Sequence, residues 1–317
     1  MTNLVTIFGA SGFLGRHCVR TIARAGWRVR AVTRRPNLAN YLLPAGVPGQ
    51  IQLFKGNVND EEAVARAIKG ADAVINLTGV LVGHGEEQSF DAIHVRAAQR
   101  IARLAAATGV KHLVHVSAIG ADPLSNSHYA MTKGQGEKRV LAEYPGAVVL
   151  RPSLVFGPED AFFNKFAGLA RFTPVLPLIG GGRTKFQPVY VGDVAGAILA
   201  ALGQTGPKTY ELGGPGVYSF KELMQFILRE SGRNRLLVPI PFFVATIKGF
   251  FLGILPHPLL TMDQVRLLKH DNVVGAGVPG LAELGIQPHA IEAVVPTYLW
   301  RYRPKGQFQE VVKVLSE

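Results

Sequence analysis

The sequence predicts an α/β protein built on a doubly wound parallel sheet with a smaller C-terminal cap. Three observations predict it. Short apolar runs rich in β-branched residues alternate with segments of helical spacing through the first half. The first of those runs ends in the glycine loop GASGFLG and passes directly into a helix. Beyond residue 157 the alternation weakens and Pro, Gly and aromatic residues become more frequent.

LVTIFGA is an apolar strand stopped by glycine, and GRHCVRTIARAG places Cys18, Val19, Ile22 and Ala23 at helical spacing until Gly26 ends the helix. RVRAVTRRP reads as a strand, QLFKGNVND as strand and loop, EEAVARAIKGA as a helix and DAVINLTG as a strand. FDAIHVRAAQRIARLAAATGV reads as one long helix and KHLVHVSAIGA as the fifth strand. FQPVYVGDVAGAILAALG looks like one further strand and helix packed back on the first domain. The expected domains are therefore 1–157 with 186–213 returning to it, and a cap of 158–185 and 214–317. Near-continuous apolar strands imply a sheet covered on both faces, with ligands at the carboxyl ends of the strands. There is no internal repeat or low-complexity segment.

With 317 residues, 48% hydrophobic and 18% charged, the chain can bury a large core and is not a disordered polymer. The single cysteine, Cys18, excludes an internal disulfide framework and fits a small buried side chain. Thirty-four basic against 22 acidic residues give a net charge of +12, which attracts phosphate esters, polyanions or anionic lipid. No recognised nucleic-acid module accompanies that charge, so no nucleic-acid partner is expected. The nine histidines show no ligand spacing, so no metal is expected. The N-terminus runs straight into a strand, leaving no room for a secretory signal; a cytoplasmic or matrix protein is expected, unless a presequence has been removed.

Gly9, Gly12 and Gly15 suit a dinucleotide: the first allows the turn, the second lets backbone approach a pyrophosphate, and the third brings helix against strand. Ser11, Phe13 and Leu14 share that loop, whose free N–H groups face the phosphates. At the tip of the second strand stand Arg34 and Arg35, with no carboxylate for a ribose 2′-hydroxyl. Guanidinium groups accommodate a 2′-phosphate, so NADP(H), as NADPH, is favoured over NAD(H). Asn57 and Val58 are expected beside the adenine, and Leu77, Thr78 and Gly79 after the fourth strand complete the cofactor-binding set.

Ser117 ends the fifth strand, Tyr129 follows 12 positions later, and Lys133 lies one helical turn further on. A phenol whose pKa a neighbouring ammonium lowers is a matched acid for a carbonyl receiving hydride, and Ser117 could orient the oxygen. The same Tyr129 and Lys133 could instead hold the hydroxyls of a bound sugar. The spacing alone occurs on many surface helices; its position after the fifth strand gives it value.

GASGFLG, Ser117, YAMTK, RPSLVFGP and PVYVGDVA fall in the order of the extended or atypical short-chain dehydrogenase/reductases, which the chain resembles over nearly its whole length. That resemblance implies a Rossmann fold, with Pro152, Ser153, Leu154 and Val155 passing near the nicotinamide and Asp193 starting a helix that returns to the sheet. GASGFLGRHCVRTIARAGWRVRAVTRRP and LLTMDQVRLLKHDNVV, residues 259–274, are also similar to the NAD(P)H-binding accessory subunits of respiratory complex I and their bacterial relatives. That similarity implies a tightly held NADPH with a structural role where the peripheral and membrane arms meet. Its partners would be other complex I subunits, at the cytoplasmic face of a bacterial inner membrane or the matrix side in a mitochondrion. The alternative is an active NADPH-dependent reductase or epimerase on a small molecule.

Two features of the second half bear on a membrane-adjacent partner. IPFFVATIKGFFLGILPHPLL is almost wholly apolar, but prolines 241 and 256 limit a helix to about 15 residues, or ~22 Å, short of the ~30 Å hydrocarbon core. It is either a core helix of the cap or an interfacial or subunit-facing surface, making peripheral contact with the membrane. Thr261 and Gln264 predict a capping box opening a helix with Val265, Leu267 and Leu268 inward and Asp263, Arg266 and Lys269 outside. LWRYRPKG mixes aromatics with Arg301, Arg303 and Lys305, and 299–317 reads as a solvated, flexible tail.

Overall fold

The first strand, β1 (Leu4–Phe8), is a β-branched run whose Val5, Ile7 and Phe8 are all buried, as a central strand covered on both faces requires. The computed structural model describes residues 3–204, 206, 208–253, 258 and 260–308. From β1 the chain continues through α1 (Phe13–Arg24), β2 (Arg28–Thr33), β3 (Ile51–Lys55), α2 (Glu61–Ile68) and β4 (Ala73–Asn76). Next come α3 (Ala98–Ala107), β5 (His112–Val116), α4 (His128–Glu143) and β6 (Val148–Pro152). The second half adds β7 (Val155–Phe156), α5 (Phe163–Phe172), β8 (Val175–Ile179), β9 (Lys185–Phe186), β10 (Val189–Tyr190), α6 (Val191–Ala201) and β11 (Lys208–Leu212). After these come β12 (Tyr218–Ser219), α7 (Phe220–Glu230), β13 (Leu236–Ile240), α8 (Phe242–Leu252) and α9 (Met262–Leu267).

Seven strands form one parallel sheet in the order β11-β6-β5-β4-β1-β2-β3, the doubly wound arrangement expected. Its order reverses between β1 and β4, where Val5 is paired with both Val29 and Ala73. Such a switch point opens a crevice at the carboxyl ends of the strands. One face is filled by Val64, Ile68, Ile101, Ala105 and Val140 from α2, α3 and α4 against Phe8, Val74 and Leu113. α1 and α6 pack together, and Cys18 is buried on α1, where loss of solvent pushes its thiol pKa up and keeps it inert.

By contact the chain divides into two compact units, the first comprising Met1–Pro152, Val191–Leu212 and Val274–Gln287, and the second the remainder. Two local expectations need correction. The strand of FQPVYVGDVAGAILAALG does not enter the main sheet: β10 pairs with β7, and only α6 belongs to the first unit. The strand that does enter is β11, beside β6, which sequence alone did not single out. The expected long helix before β5 also differs, since Asp91–Ala97 wind as a π-helix before α3 begins.

In the second unit Phe156, Phe163, Phe220, Leu223, Met224 and Ile227 form a core with Tyr298 and Leu299. Asp160 holds the start of α5 by accepting from the Phe163 backbone N–H at 2.6 Å and from the Tyr298 hydroxyl at 2.7 Å. Arg301 donates to the Pro158 carbonyl at 2.8 Å, and Arg303 to the Glu230 carbonyl at 2.7 Å. The region expected to be a free tail from residue 299 is therefore docked as far as Arg303; residues 309–317 lie outside those described. The capping box is present, with Gln264 N–H to Thr261 Oγ1 at 3.2 Å and Thr261 N–H to Gln264 Oε1 at 3.1 Å. Val265 is buried, Leu267 and Leu268 are half-buried, and Asp263, expected outside, is half-buried too. α8 has 11 residues, about 16 Å at 1.5 Å per residue. The apolar stretch beyond it, 254–257 and 259, lies outside the described residues, among which no helix is long and apolar enough to cross a membrane.

Candidate nucleotide site

The glycine loop is shaped by backbone crowding. Gly9 has φ +81°, a left-handed conformation, and a Cβ there would stand 3.1 Å from the Leu77 carbonyl carbon. At Gly15 a Cβ would lie 2.2 Å from the Gly9 oxygen and 2.5 Å from the Ala10 oxygen, so only glycine lets α1 approach β1 this closely. Gly12 caps α1 without a side-chain bond, and the first turn carries no acid. The amino end of α1 thus presents unsatisfied N–H groups and a positive dipole end, which suit an anion. Ser11, Phe13 and Leu14 are carried on this turn.

At the tip of β2 the Thr33 hydroxyl lies 3.1 Å from that of Ser11 and accepts from the Arg35 N–H at 3.3 Å. Arg34 and Arg35 are exposed and form no ion pair among the described residues. Tyr41 donates to the Ser11 carbonyl at 2.7 Å, and the Arg16 guanidinium sits over its ring at 4.9 Å. Sequence reasoning missed Thr33, Tyr41 and Arg16; an arginine directly after the third glycine was the available signal for the last. The Asn57 side chain accepts from the Asn59 N–H at 3.1 Å in a local turn, and the Val58 carbonyl accepts from Arg100 at 2.8 Å.

At the end of β4, Leu77 donates to Phe8 at 3.0 Å, and Thr78 is held by the Asn76 side chain, N–H to Oδ1 at 3.0 Å. Asn76 also meets His115 Nδ1 at 3.2 Å. The Val80 N–H donates to His94 Nε2 at 3.1 Å, which leaves the proton on Nδ1 to reach Thr132 Oγ1 at 3.0 Å. His94 therefore fastens the loop after β4 to α4. The same π-helical turn brings the His94 carbonyl against Gly136 on α4, where a Cβ would collide with that oxygen. Burial, and then the charge of Lys133, hold both His94 and His115 far below the ordinary imidazole pKa, His115 at about 3.

α4 is capped by Ser127, whose hydroxyl accepts from Ala130, and Gly134 lets it pass against Pro123. Tyr129 and Lys133 share one face of it. Lys133 is buried, donates to the Val116 carbonyl at 3.3 Å, and its Nζ lies 3.2 Å from the position a Cβ on Gly79 would take. Burial lowers its pKa to about 8, against a raising influence from Glu137 one turn on. Glu137 is itself tied to Arg151 at 2.9 Å, and Arg151 to Glu211 at 3.5 Å. Tyr129 packs edge-on to His94 at 5.4 Å and Phe90 at 6.0 Å. Burial pushes its pKa up to about 12, opposite in direction to the lowering expected from a neighbouring ammonium. Ser117 is buried, and its hydroxyl has no hydrogen-bond partner among the described residues.

The first unit thus gathers Gly9–Gly15, the β2 tip, Leu77–Gly79, Ser117, Tyr129 and Lys133 at the carboxyl ends of β1, β2, β4 and β5. Pro152 ends β6 in the same unit. Ser153, Leu154 and Val155 belong to the second, where the Ser153 hydroxyl bonds the Asn272 side chain at 2.6 Å. A cradle that no Cβ may enter, an unopposed helix amino end and an orphaned buried hydroxyl fit a dinucleotide. When bound, such a group supplies or accepts hydride; Tyr129, Lys133 and Ser117 could hold its sugar or serve a substrate oxygen.

Residues 5–213 match the model of the NAD dependent epimerase/dehydratase family. The chain is 34% identical to the mitochondrial "NADH dehydrogenase [ubiquinone] 1 alpha subcomplex subunit 9" of Arabidopsis thaliana, covering 96% of this chain and 79% of that protein. It is 30% identical to the ceramide reductase of Caulobacter vibrioides, covering 75% and 74%. Among solved structures it is similar to the NADPH-dependent quinone oxidoreductase of Escherichia coli complexed with NADPH, with TM-score 0.74, 20% identity, and 93% and 99% coverage.

Proposed function

This chain belongs to the NAD dependent epimerase/dehydratase family, and on that premise we propose that it is an NADPH-holding accessory subunit of a respiratory NADH:quinone oxidoreductase. It would help to join the peripheral and membrane arms without turnover of its own. The bound nucleotide would stabilise the fold by mass action, by RT ln(1 + [L]/Kd), and present a fixed surface to neighbouring subunits. The partners are other subunits of that complex, and the chain lies peripherally on the membrane, on the cytoplasmic side in a bacterium or the matrix side in a mitochondrion.

One observation carries this reading: likeness to a subunit of that complex extends over 96% of the chain, including the second unit, which the family model leaves largely unmatched. NADPH rather than NADH is supported by Arg34 and Arg35, exposed and without carboxylate partners at the β2 tip. The absence of turnover is supported by Tyr129, whose pKa of about 12 is poorly matched to proton transfer near neutrality. The test is the chain tagged at its native locus and purified under mild conditions. Respiratory NADH dehydrogenase subunits should copurify, and denaturation should release NADPH in near-stoichiometric amount. A purified respiratory complex lacking this chain would refute the proposal.

A second reading, an NADPH-dependent reductase, is favoured by the orphaned Ser117 hydroxyl and by the likeness to a ceramide reductase. Tyr129→Phe separates the two. It should abolish any carbonyl reduction, yet leave assembly unchanged wherever NADPH is still bound; loss of assembly at full NADPH occupancy would contradict a holding role.

A further inference from the structure

Within the second unit, β8 and β13 pair in parallel with Leu236 opposite Val175, and the residues they turn outward are apolar: Val175, Leu236 and Val238 are all exposed. Phe172, at the end of α5 just before β8, is 82% exposed. β13 leads through Pro241 into α8, whose Ala245 and Gly249 face inward, the latter against the backbone of Thr261 and Met262. Its opposite face carries Phe243, Ile247, Phe250 and Phe251, each more than half exposed. At 100° per residue these four fall within a sector of about 100°, and the exposed Lys248 lies about 60° beyond its edge. Large apolar side chains exposed together on one helix face, with more on the ribbon that leads into it, mark a contact.

Basic residues accompany it in the sequence. All eight of these side chains come from residues 161–192 and 231–262, and neither stretch contains an aspartate or glutamate. Arg171 stacks over Phe172 at 5.5 Å, and Arg235 donates to the Ala170 carbonyl at 2.8 Å. Arg233 is close enough to Arg235 and Arg171 for their charges, after burial, to lower its pKa. Three guanidinium groups thus stand together at one border of the apolar ribbon, and Lys248 stands on α8 beyond the edge of its apolar sector.

We propose that the β8–β13 ribbon and the outer face of α8 seat the protein on an anionic phospholipid surface, apolar side chains entering the headgroup boundary while Arg171, Arg233, Arg235 and Lys248 meet the phosphates. Phe243, Ile247, Phe250 and Phe251 have nothing to donate or accept, so the α8 face calls for apolar surroundings with anionic groups beside them, which a phospholipid headgroup–acyl boundary supplies. A bilayer asks for no hydrogen bond from them, because a helix satisfies its own backbone, and an apolar face flanked by cations is what an interfacial helix presents. A second copy of this chain would set arginine against arginine. The proposal rests on the function above only for a membrane being at hand.

The test is flotation of the full chain with phosphatidylcholine vesicles, with and without phosphatidylglycerol. The wild type should float with the anionic vesicles, less so as salt is raised. Phe243→Ser with Phe250→Ser, and separately Arg171→Glu with Lys248→Glu, should each lower partitioning at least tenfold, with thermal unfolding and NADPH affinity unchanged. The proposal is overturned if the folded wild type binds neither vesicle, if the variants bind like wild type, or if the phenylalanine variants instead abolish a dimer that forms without lipid. Copurification with the respiratory complex remains a separate readout, so a chain that copurifies but does not float removes this surface and leaves the subunit function standing.

Discussion

Gly15→Ala isolates the closest backbone approach in the molecule's nucleotide site. The added Cβ would stand 2.2 Å from the Gly9 oxygen, 2.5 Å from the Ala10 oxygen and 2.6 Å from the Ala10 carbon, where real Cβ atoms essentially never come within 3.0 Å. Because the obstacles are backbone, α1 must retreat from β1 by at least 0.8 Å, the difference between 2.2 and 3.0 Å. Overpacking of this kind costs roughly 1–3 kcal/mol of stability. The same retreat carries the amino end of α1 away from the phosphates, and each N–H bond to a charged group lost there is worth about 1.5–3 kcal/mol. Two such bonds amount to about 3–6 kcal/mol, or a loss of NADPH affinity of roughly 150-fold or more.

Gly26→Ala is the control: its φ of +87° strains any side chain, but nothing lies within 4 Å of the new Cβ. It should cost about 1–2 kcal/mol of stability by conformation alone. NADPH fluorescence titration and urea unfolding on both variants give the two numbers. Both should be destabilised, and only Gly15→Ala should lose the nucleotide. Wild-type affinity in Gly15→Ala would refute the placement of the phosphates at this turn.

Three further outcomes are expected. Arg34→Ala with Arg35→Ala should reduce the ratio of NADPH to NADH affinity by about tenfold or more, each charge-assisted bond being worth ~1.5–3 kcal/mol; an unchanged ratio from competitive titration would remove the 2′-phosphate from this strand tip. Lys133 has a folded pKa of about 8 against an ordinary 10.5, so between those values the unfolded chain binds more protons and stability due to this group rises with pH. The stability of wild type relative to Lys133→Met, from urea unfolding, should therefore grow above pH 8; a flat difference up to pH 10.5 would contradict the burial of a charged amine. Tyr298→Phe removes the 2.7 Å bond to buried Asp160 and should cost about 1–3 kcal/mol without altering NADPH affinity, read by thermal unfolding with and without nucleotide.

The first five strands of the main sheet were legible because local signals agreed: β-branched runs and glycine stops fall where those strands and their turns occur. The loop Gly9–Gly15 and the capping box Thr261–Gln264 were equally readable, since in each the geometry follows from residues only three or six positions apart. What stayed hidden depends on partners far along the chain. The π-helical turn at Asp91–Ala97 exists against Gly136, some 40 residues away, and nothing in DAIHVRA marks it. β11 joins the sheet through β6, and its short KTYEL run carries Lys208 and Glu211 among only five residues. The docked C-terminal segment is fixed by Tyr298 on Asp160, 138 positions apart. The Tyr129 pKa was misjudged for a related reason: sequence gives the neighbour that could lower it but not the burial that raises it.

The two buried imidazoles, His94 and His115, make the core of the crevice indifferent to mild acid. Neither ring takes up a proton until far below neutrality, so the bond from Val80 to His94 persists over the range a cell experiences. Acid instead acts on the unfolded chain, whose histidines begin to charge near pH 6.5 while these two do not, and stability drains as pH falls through that value. Acidification should thus draw stability from the fold as a whole, through the unfolded chain, before it breaks the Val80–His94 bond.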